Sequence, residues 1–328
     1  MSRRKNTRRL MLLVLVALGL YSVTSAGAAE PPALDAVESE QGVLITEGDA
    51  RVLFFQRRPK SHEGRHTRSN YVHPLYDLDG RVLTEDFPAD HLHHRGIFWT
   101  WHQVWVGDQA IGDPWAIRDF SWDVREVRIE RDKPDSIALQ TLVLWKSPLW
   151  KDAQGRLKPL VREEATIRVH RATSNTRAID FEIRLLALED ELLLGGSNDA
   201  KGYGGFSVRL RLPEGVQMIG RGGPVTPKTR AVEAGPWLDV SAPFAETAEP
   251  SGVAILCHPS NPGFPQPWIL RASESMQNVV YPGREPVLLS TETPLVLRYR
   301  LVIHRGPGTP ERGNGWLEEY RQEVLPLP

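Results

Sequence analysis

The sequence predicts an all-β fold: a single domain of two packed antiparallel sheets, a β-sandwich, with a short C-terminal helix. Three observations predict it. Apolar and polar residues alternate with a period of two through most of the chain, as strands with one buried face do. Clusters of Gly, Pro, Asn and Asp punctuate these runs and supply the turns between antiparallel strands. The 328 residues hold no internal repeat, low-complexity tract or long linker, so one domain over residues 30–328 is more economical than two.

The first nine residues carry Arg3, Arg4, Lys5, Arg8 and Arg9 without an acid, and Leu10 to Val23 is almost wholly apolar before Ser25, Ala26, Gly27, Ala28 and Ala29. This reads as the charged, apolar and small-residue parts of a signal peptide over residues 1–29, and predicts a periplasmic or secreted protein. The apolar run is shorter than the roughly 20 residues a membrane-spanning helix needs, so no membrane association is expected once the leader is removed. Taking the five leader cations from the 40 Lys and Arg leaves 35 against 41 acids. A net charge of −6 argues against nucleic acid as a partner. Cys257 is the single cysteine, which excludes an intramolecular disulfide and a thiolate metal cluster.

Strands are expected at Val43 to Ile45, Arg51 to Gln56, Tyr71 to Leu75, Ile97 to Val106, Ser121 to Arg131, Ser136 to Lys146, Glu163 to Arg171 and Ala178 to Leu186. Phe206 to Leu212, Val253 to Cys257, Trp268 to Ala272 and Leu295 to His304 continue the series. Asp132, Lys133, Pro134 and Asp135 between two alternating runs predict a hairpin. Thr309 before Pro310 and Glu311 predicts a helix start, and Trp316, Tyr320 and Val324 at spacing four give that helix an apolar face.

Of ten histidines, five fall between His73 and His102, the densest run being Asp90, His91, Leu92, His93, His94, Arg95, Gly96. On an extended backbone His91, His93 and Arg95 would point one way, Leu92 and His94 the other. Imidazoles so spaced can share a metal or act as general acid and base, and the forked guanidinium of Arg95 suits a carboxylate or diol. The same histidines can instead cap turns. Trp99, Trp101 and Trp105 share one face of the next run, where indoles can stack on a sugar ring or fill the core. The glycine-rich segment Gly195 to Gly205 brings Asn198, Asp199 and Lys201 to a turn. His258 and Asn261 follow an apolar strand, and His304 ends the last one. No Gly-x-Ser-x-Gly elbow or phosphate loop is present.

The stretches YVHPLYDLDG (Tyr71 to Gly80), RVLTEDFPADHLHHRGIFWTW (Arg81 to Trp101), GVAILCHPSNPGFPQP (Gly252 to Pro267) and LVLRYRLVIHRG (Leu295 to Gly306) resemble the bacterial family labelled methane oxygenase PmoA. The resemblance implies a secreted β-sandwich, frequent in polysaccharide-degrading bacteria, with His73, Asp86, His91, His93, His94, Arg95, His258, Asn261 and His304 as its recurring polar residues. Cys257 departs from the pattern the resemblance implies, where another residue, often Asp, is expected. The arrangement is also similar in kind to sugar-binding sandwiches of the galactose-mutarotase type.

Together these readings predict a carbohydrate-active enzyme (hydrolase, lyase or epimerase) with His91, His93 and His94 as acid/base groups. His73, Arg95, Trp99, Asp199, His258 and Asn261 are expected to bind the substrate, a carbohydrate or other small molecule. A metal at the histidine cluster stays open, and no organic cofactor is expected. The alternatives are a non-catalytic glycan-binding sandwich and the metal-dependent oxygenase that the family label implies.

Overall fold

The computed structural model describes residues 32–244 and 249–323; the expected leader lies outside them. Its strands build two large sheets, antiparallel throughout. The first has eight strands in the spatial order Leu34–Glu38, Gly42–Glu47, Ala50–Gln56, Tyr71–Leu75, Ile97–Thr100, Gly205–Val208, Gln277–Val279 and Trp268–Ile269. The second has nine: Ser121–Lys133, Ser136–Lys151, Leu157–His170, Thr176–Ala187, Leu295–Arg305, Ser251–Cys257, Trp237–Ala242, Gln217–Gly220 and Gly223–Pro224. A four-stranded sheet orders Val287–Leu288, Leu192–Gly195, Gln103–Val106 and Gln109–Gly112. The protein is all-β, with one short C-terminal helix among the described residues.

The long strands form because their alternation is nearly unbroken: along Thr176–Ala187 every second side chain is buried. Each inward Ile, Leu or Phe contributes about 1.5–3 kcal/mol by leaving water. The expected hairpin is present, with Lys133 opposite Ser136 across Pro134 and Asp135. The two inner faces meet in one core. Trp99 packs edge-on against Phe181, and Phe206 stacks on Tyr299 at 4.4 Å.

Trp99 departs from expectation. It is wholly buried, and its indole N–H donates to Glu163 at 2.8 Å. Trp145 and Asn70 donate to the same carboxylate at 2.7 and 2.8 Å. A ring so enclosed is a core residue, not a platform for a sugar. Burial pushes the Glu163 pKa up, against the pull of these three hydrogen bonds. The carboxylate thus ties the sheets together through polar groups that would otherwise be costly to bury.

The run Ile97 to Val106 is also two strands rather than one. Ile97–Thr100 belongs to the eight-stranded sheet and Gln103–Val106 to the four-stranded one. The chain turns a corner at Trp101 and His102, where Trp101 is anchored by an indole hydrogen bond to the Tyr281 carbonyl at 2.7 Å.

The helix Pro310–Glu323 starts where Thr309 accepts the Arg312 N–H at 3.3 Å, an N-cap. It buries Leu317 and Tyr320 against Trp237, Leu256 and Val302 of the nine-stranded sheet. Gly313 allows that approach, since a Cβ there would lie 2.5 Å from the Trp237 ring. Val324, the third residue of the expected apolar face, lies outside the described residues.

Candidate active site

Phe98 and Thr100 point away from the sandwich core, because alternation along Ile97–Thr100 sends Ile97 and Trp99 inward. On this outer face Tyr71, Phe98, Trp115, Ile269, Met276 and Val280 form a second apolar cluster. Three of its members, Trp115, Ile269 and Met276, form the apolar floor of a cleft of about 310 Å³ whose walls include His91, His93, His94, His102, Asp113, Lys201, Tyr203 and Arg271. A groove of about 400 Å³ crosses the outer face of the nine-stranded sheet, but its walls are surface charges such as Arg162 with Glu164 and Arg184 with Glu182. Convergent titratable groups over an apolar floor favour the smaller cleft as the binding site.

The histidine run is not extended. The His91 N–H bonds to the Pro88 carbonyl at 3.1 Å and the His94 N–H to the His91 carbonyl at 2.9 Å. Two successive turns therefore replace the expected strand, and they bring all three imidazoles to the cleft. The His91 and His94 rings stack at 4.6 Å, and His93 stands edge-on to His94 at 4.6 Å. Arg209 clamps this turn, donating to both Asp90 oxygens at 2.7 and 2.9 Å and to Glu85 at 2.8 Å.

Asp90 in turn accepts from His91 Nδ1 at 2.5 Å. Desolvation acts to raise the Asp90 pKa, but hydrogen bonds from Arg209 and His91 outweigh it and hold the carboxyl at about 2. A second pair lies across the corner at Trp101, where His102 Nδ1 meets the Asp113 carboxylate at 3.1 Å. Desolvation again opposes ionisation, yet hydrogen bonds from His102 and the Ala116 N–H lower the Asp113 pKa. Stacking on Trp115 and edge contact with Tyr203 fix the His102 ring, whose Nε2 is buried without a hydrogen-bond partner. In both pairs an aspartate orients an imidazole through Nδ1, the arrangement general-base histidines use.

The His93 and His94 imidazoles stay neutral. Burial, followed by the neighbouring His91 and His66, lowers the His93 pKa to about 4, and burial with His93 and His91 lowers His94 to about 2. Arg209 donates weakly to His94 Nδ1 at 3.4 Å, which leaves the His94 proton on Nε2. His93 has no hydrogen-bond partner among the described residues.

The remaining expected site residues lie elsewhere. Arg95 is fully buried beneath the turn: it donates to Asp86 at 2.5 Å, to Tyr71 Oη at 2.5 Å and to the carbonyls of Lys60 and His66. With Phe87 stacked on it at 3.6 Å, it anchors the fold and is not free to grip a substrate. His73 bonds to Thr84 at 3.0 Å outside the cleft, and burial lowers its pKa to about 4. Asp199 shapes the loop that carries Lys201 and Tyr203 by accepting from Ser197 Oγ and the Lys201 N–H, and does not line the cleft.

His258 and Asn261 lie in the turn that follows the strand Ser251–Cys257 of the nine-stranded sheet. His258 bonds to Ser260 at 2.7 Å and packs on Tyr320 of the helix. Asn261 brackets the Arg298 backbone, donating to its carbonyl at 2.8 Å and accepting its N–H at 2.7 Å. Both are structural, so the expected meeting of His258 with the early histidines does not occur.

His102 was legible as a histidine near the cluster, whereas Asp113, Arg118, Tyr203 and Arg271 were not singled out. Asp113 precedes Pro114 and Trp115 and caps its own turn by accepting the Ala116 N–H at 3.0 Å; that Asp-Pro turn was the available signal. Among the described residues, the side chains whose ligand atoms gather closely enough for a metal are His170, Asp180 and Glu323, not the cleft histidines. There the Arg300 guanidinium already binds both carboxylates.

Residues 42–317, which include every side chain named in the cleft, match the family of unknown function DUF6807. The chain belongs to that family. No curated protein matches the sequence. For DUF6807 the cleft's own chemistry is therefore the guide to function. No described helix of this DUF6807 chain is long and apolar enough to cross a membrane.

Proposed function

We propose that this DUF6807 chain is an exported, PmoA-like carbohydrate-active enzyme that moves protons on a sugar or glycoside with the cleft histidines. The observation that carries this reading is the pair of aspartate-oriented imidazoles, Asp90 with His91 and Asp113 with His102, lining one cleft beside neutral His93. One oriented imidazole can accept a proton while another group returns one, the pairing shared by hydrolases, lyases and epimerases. Trp115 and Tyr203 supply the flat apolar surface on which sugar C–H groups rest.

The test is product formation from defined oligosaccharides by the wild type and by His102→Asn. The variant should lose about 10²–10⁴-fold in turnover with its melting temperature nearly unchanged. Unaltered turnover in His102→Asn and in His93→Asn would overturn the reading. Sugar binding that survives both changes, with no product from the wild type, would identify a glycan-binding module instead.

A further inference from the structure

Three cations line the cleft, Arg118, Lys201 and Arg271, against two acids, Asp113 and Glu274. The cations are not equivalent. Arg118 pairs with Asp113 at 3.2 Å, and Lys201 with Asp199 at 3.3 Å. Arg271 has no carboxylate partner among the described residues. Its guanidinium instead meets backbone carbonyls: Nη1 donates to Leu270 and Lys228 at 2.7 and 2.8 Å, and Nη2 to Thr229 at 3.4 Å.

A guanidinium carries five N–H donors. Both on Nη1 are used and one on Nη2, which leaves Nε–H and the second Nη2 donor, adjacent on one edge of the group. That edge is the fork that binds a carboxylate through two parallel hydrogen bonds. The main chain behind it is fixed as well. The buried Gln277 side chain accepts the Arg271 N–H at 3.1 Å and donates to the Arg271 carbonyl at 2.9 Å. A charge held this way costs little ordering when a ligand arrives.

Resting on the carbohydrate reading above, we propose that the substrate is an acidic sugar, a uronate-containing saccharide whose carboxylate docks on the free edge of Arg271. His93 and His94, held neutral by burial, add hydrogen-bonding capacity around the ring without adding charge. Glu274, exposed on the rim, is the one lining acid without an ion-pair partner, and it opposes the docking. It tunes the affinity downward.

The experiment is calorimetric titration of the full mature chain with uronate disaccharides of the galacturonate, glucuronate and mannuronate series, their methyl esters, and a sulfated galactose disaccharide. At least one uronate should bind about tenfold or more tightly than its ester, the effect of one charge-assisted contact. Arg271→Gln, which keeps a donor for the Leu270 and Lys228 carbonyls, should abolish that preference. Glu274→Gln should strengthen uronate binding. Should Arg271→Gln lose its fold, Arg271→Lys keeps the charge but not the fork and should retain only part of the preference.

Equal binding of acids and esters, unaffected by Arg271→Gln, would overturn the carboxylate subsite and leave the sugar cleft standing. Tighter binding of the sulfated sugar than of every uronate would assign the anion to sulfate and overturn the uronate. Failure of every saccharide to bind would remove both this inference and the carbohydrate reading.

Discussion

The turn Asp90 to His94 and the region around His304 each pair a histidine with an aspartate, and they differ in what surrounds the pair. His304 Nε2 lies 2.5 Å from Asp239, as close as His91 lies to Asp90. The His304 pair, however, is sealed: both side chains are essentially unexposed, Trp316 packs on the ring, and Gly308 closes on Asp239 so tightly that a Cβ would overlap its Oδ1. The His91 ring, 42% exposed, opens on a hollow with an apolar floor, and His102 at 18% borders the same hollow with its Nε2 buried. An aspartate–histidine contact is therefore not in itself a mark of catalysis. Access decides its role, because a sealed pair can only stabilise while an open one can exchange protons.

The sharpest way to break this comparison is Asp113→Asn. It should lower turnover by about 10²–10⁴-fold, by unsettling the tautomer and orientation of His102, while thermal unfolding stays close to wild type. A stability loss with no kinetic effect would place the cleft pair in the same class as His304. Next comes His304→Ala, expected to cost about 3–5 kcal/mol because it strands a buried carboxylate; chemical denaturation measures it, and saccharide binding to the folded fraction should not change. Gly313→Ala should cost about 1–3 kcal/mol by forcing the helix from Trp237, again without altering the cleft.

The smallest effect is one of pH. His93 and His94 have folded pKa values below that of a free imidazole. Between pH 6.5 and about 4 the unfolded chain therefore binds more protons at these positions than the folded one does, and stability falls as pH drops. The lowered Asp90 and Asp113 add to the loss only at lower pH, as their carboxylates take up protons. His73 contributes in the same window as His93, so His93→Asn with His94→Asn should flatten, not abolish, the decline in melting temperature from pH 7 to pH 5. An unchanged slope would show that both imidazoles titrate normally.

Much of the fold was legible because it rests on local alternation: Tyr71–Leu75 has the expected bounds, and the paired strands Ser121–Lys133 and Ser136–Lys151 extend the expected hairpin. Alternation tells two faces apart without saying which is inside. Along Ile97–Thr100 all four residues are buried, so Trp99 could be read as exposed when Phe98 is the residue on the cleft side. The histidine cluster was legible as density, but its turn geometry depends on Pro88 and on the Arg209 clamp from a distant segment. Arg271 was invisible for a topological reason. The strand Trp268–Ile269 reaches the cleft only through the non-sequential order that places Gly205–Val208 and Gln277–Val279 between it and Ile97–Thr100.

That strand order also acts as a ruler. The histidine turn leads into Ile97–Thr100 and Arg271 follows Trp268–Ile269, and these two strands stand three interstrand steps apart, roughly 14 Å at about 4.8 Å each. Hydrogen-bonded strands do not slide apart or draw together to suit a guest, so the gauge of the cleft is built into the sheet, and selection among guests falls to their length and to where along it they carry charge.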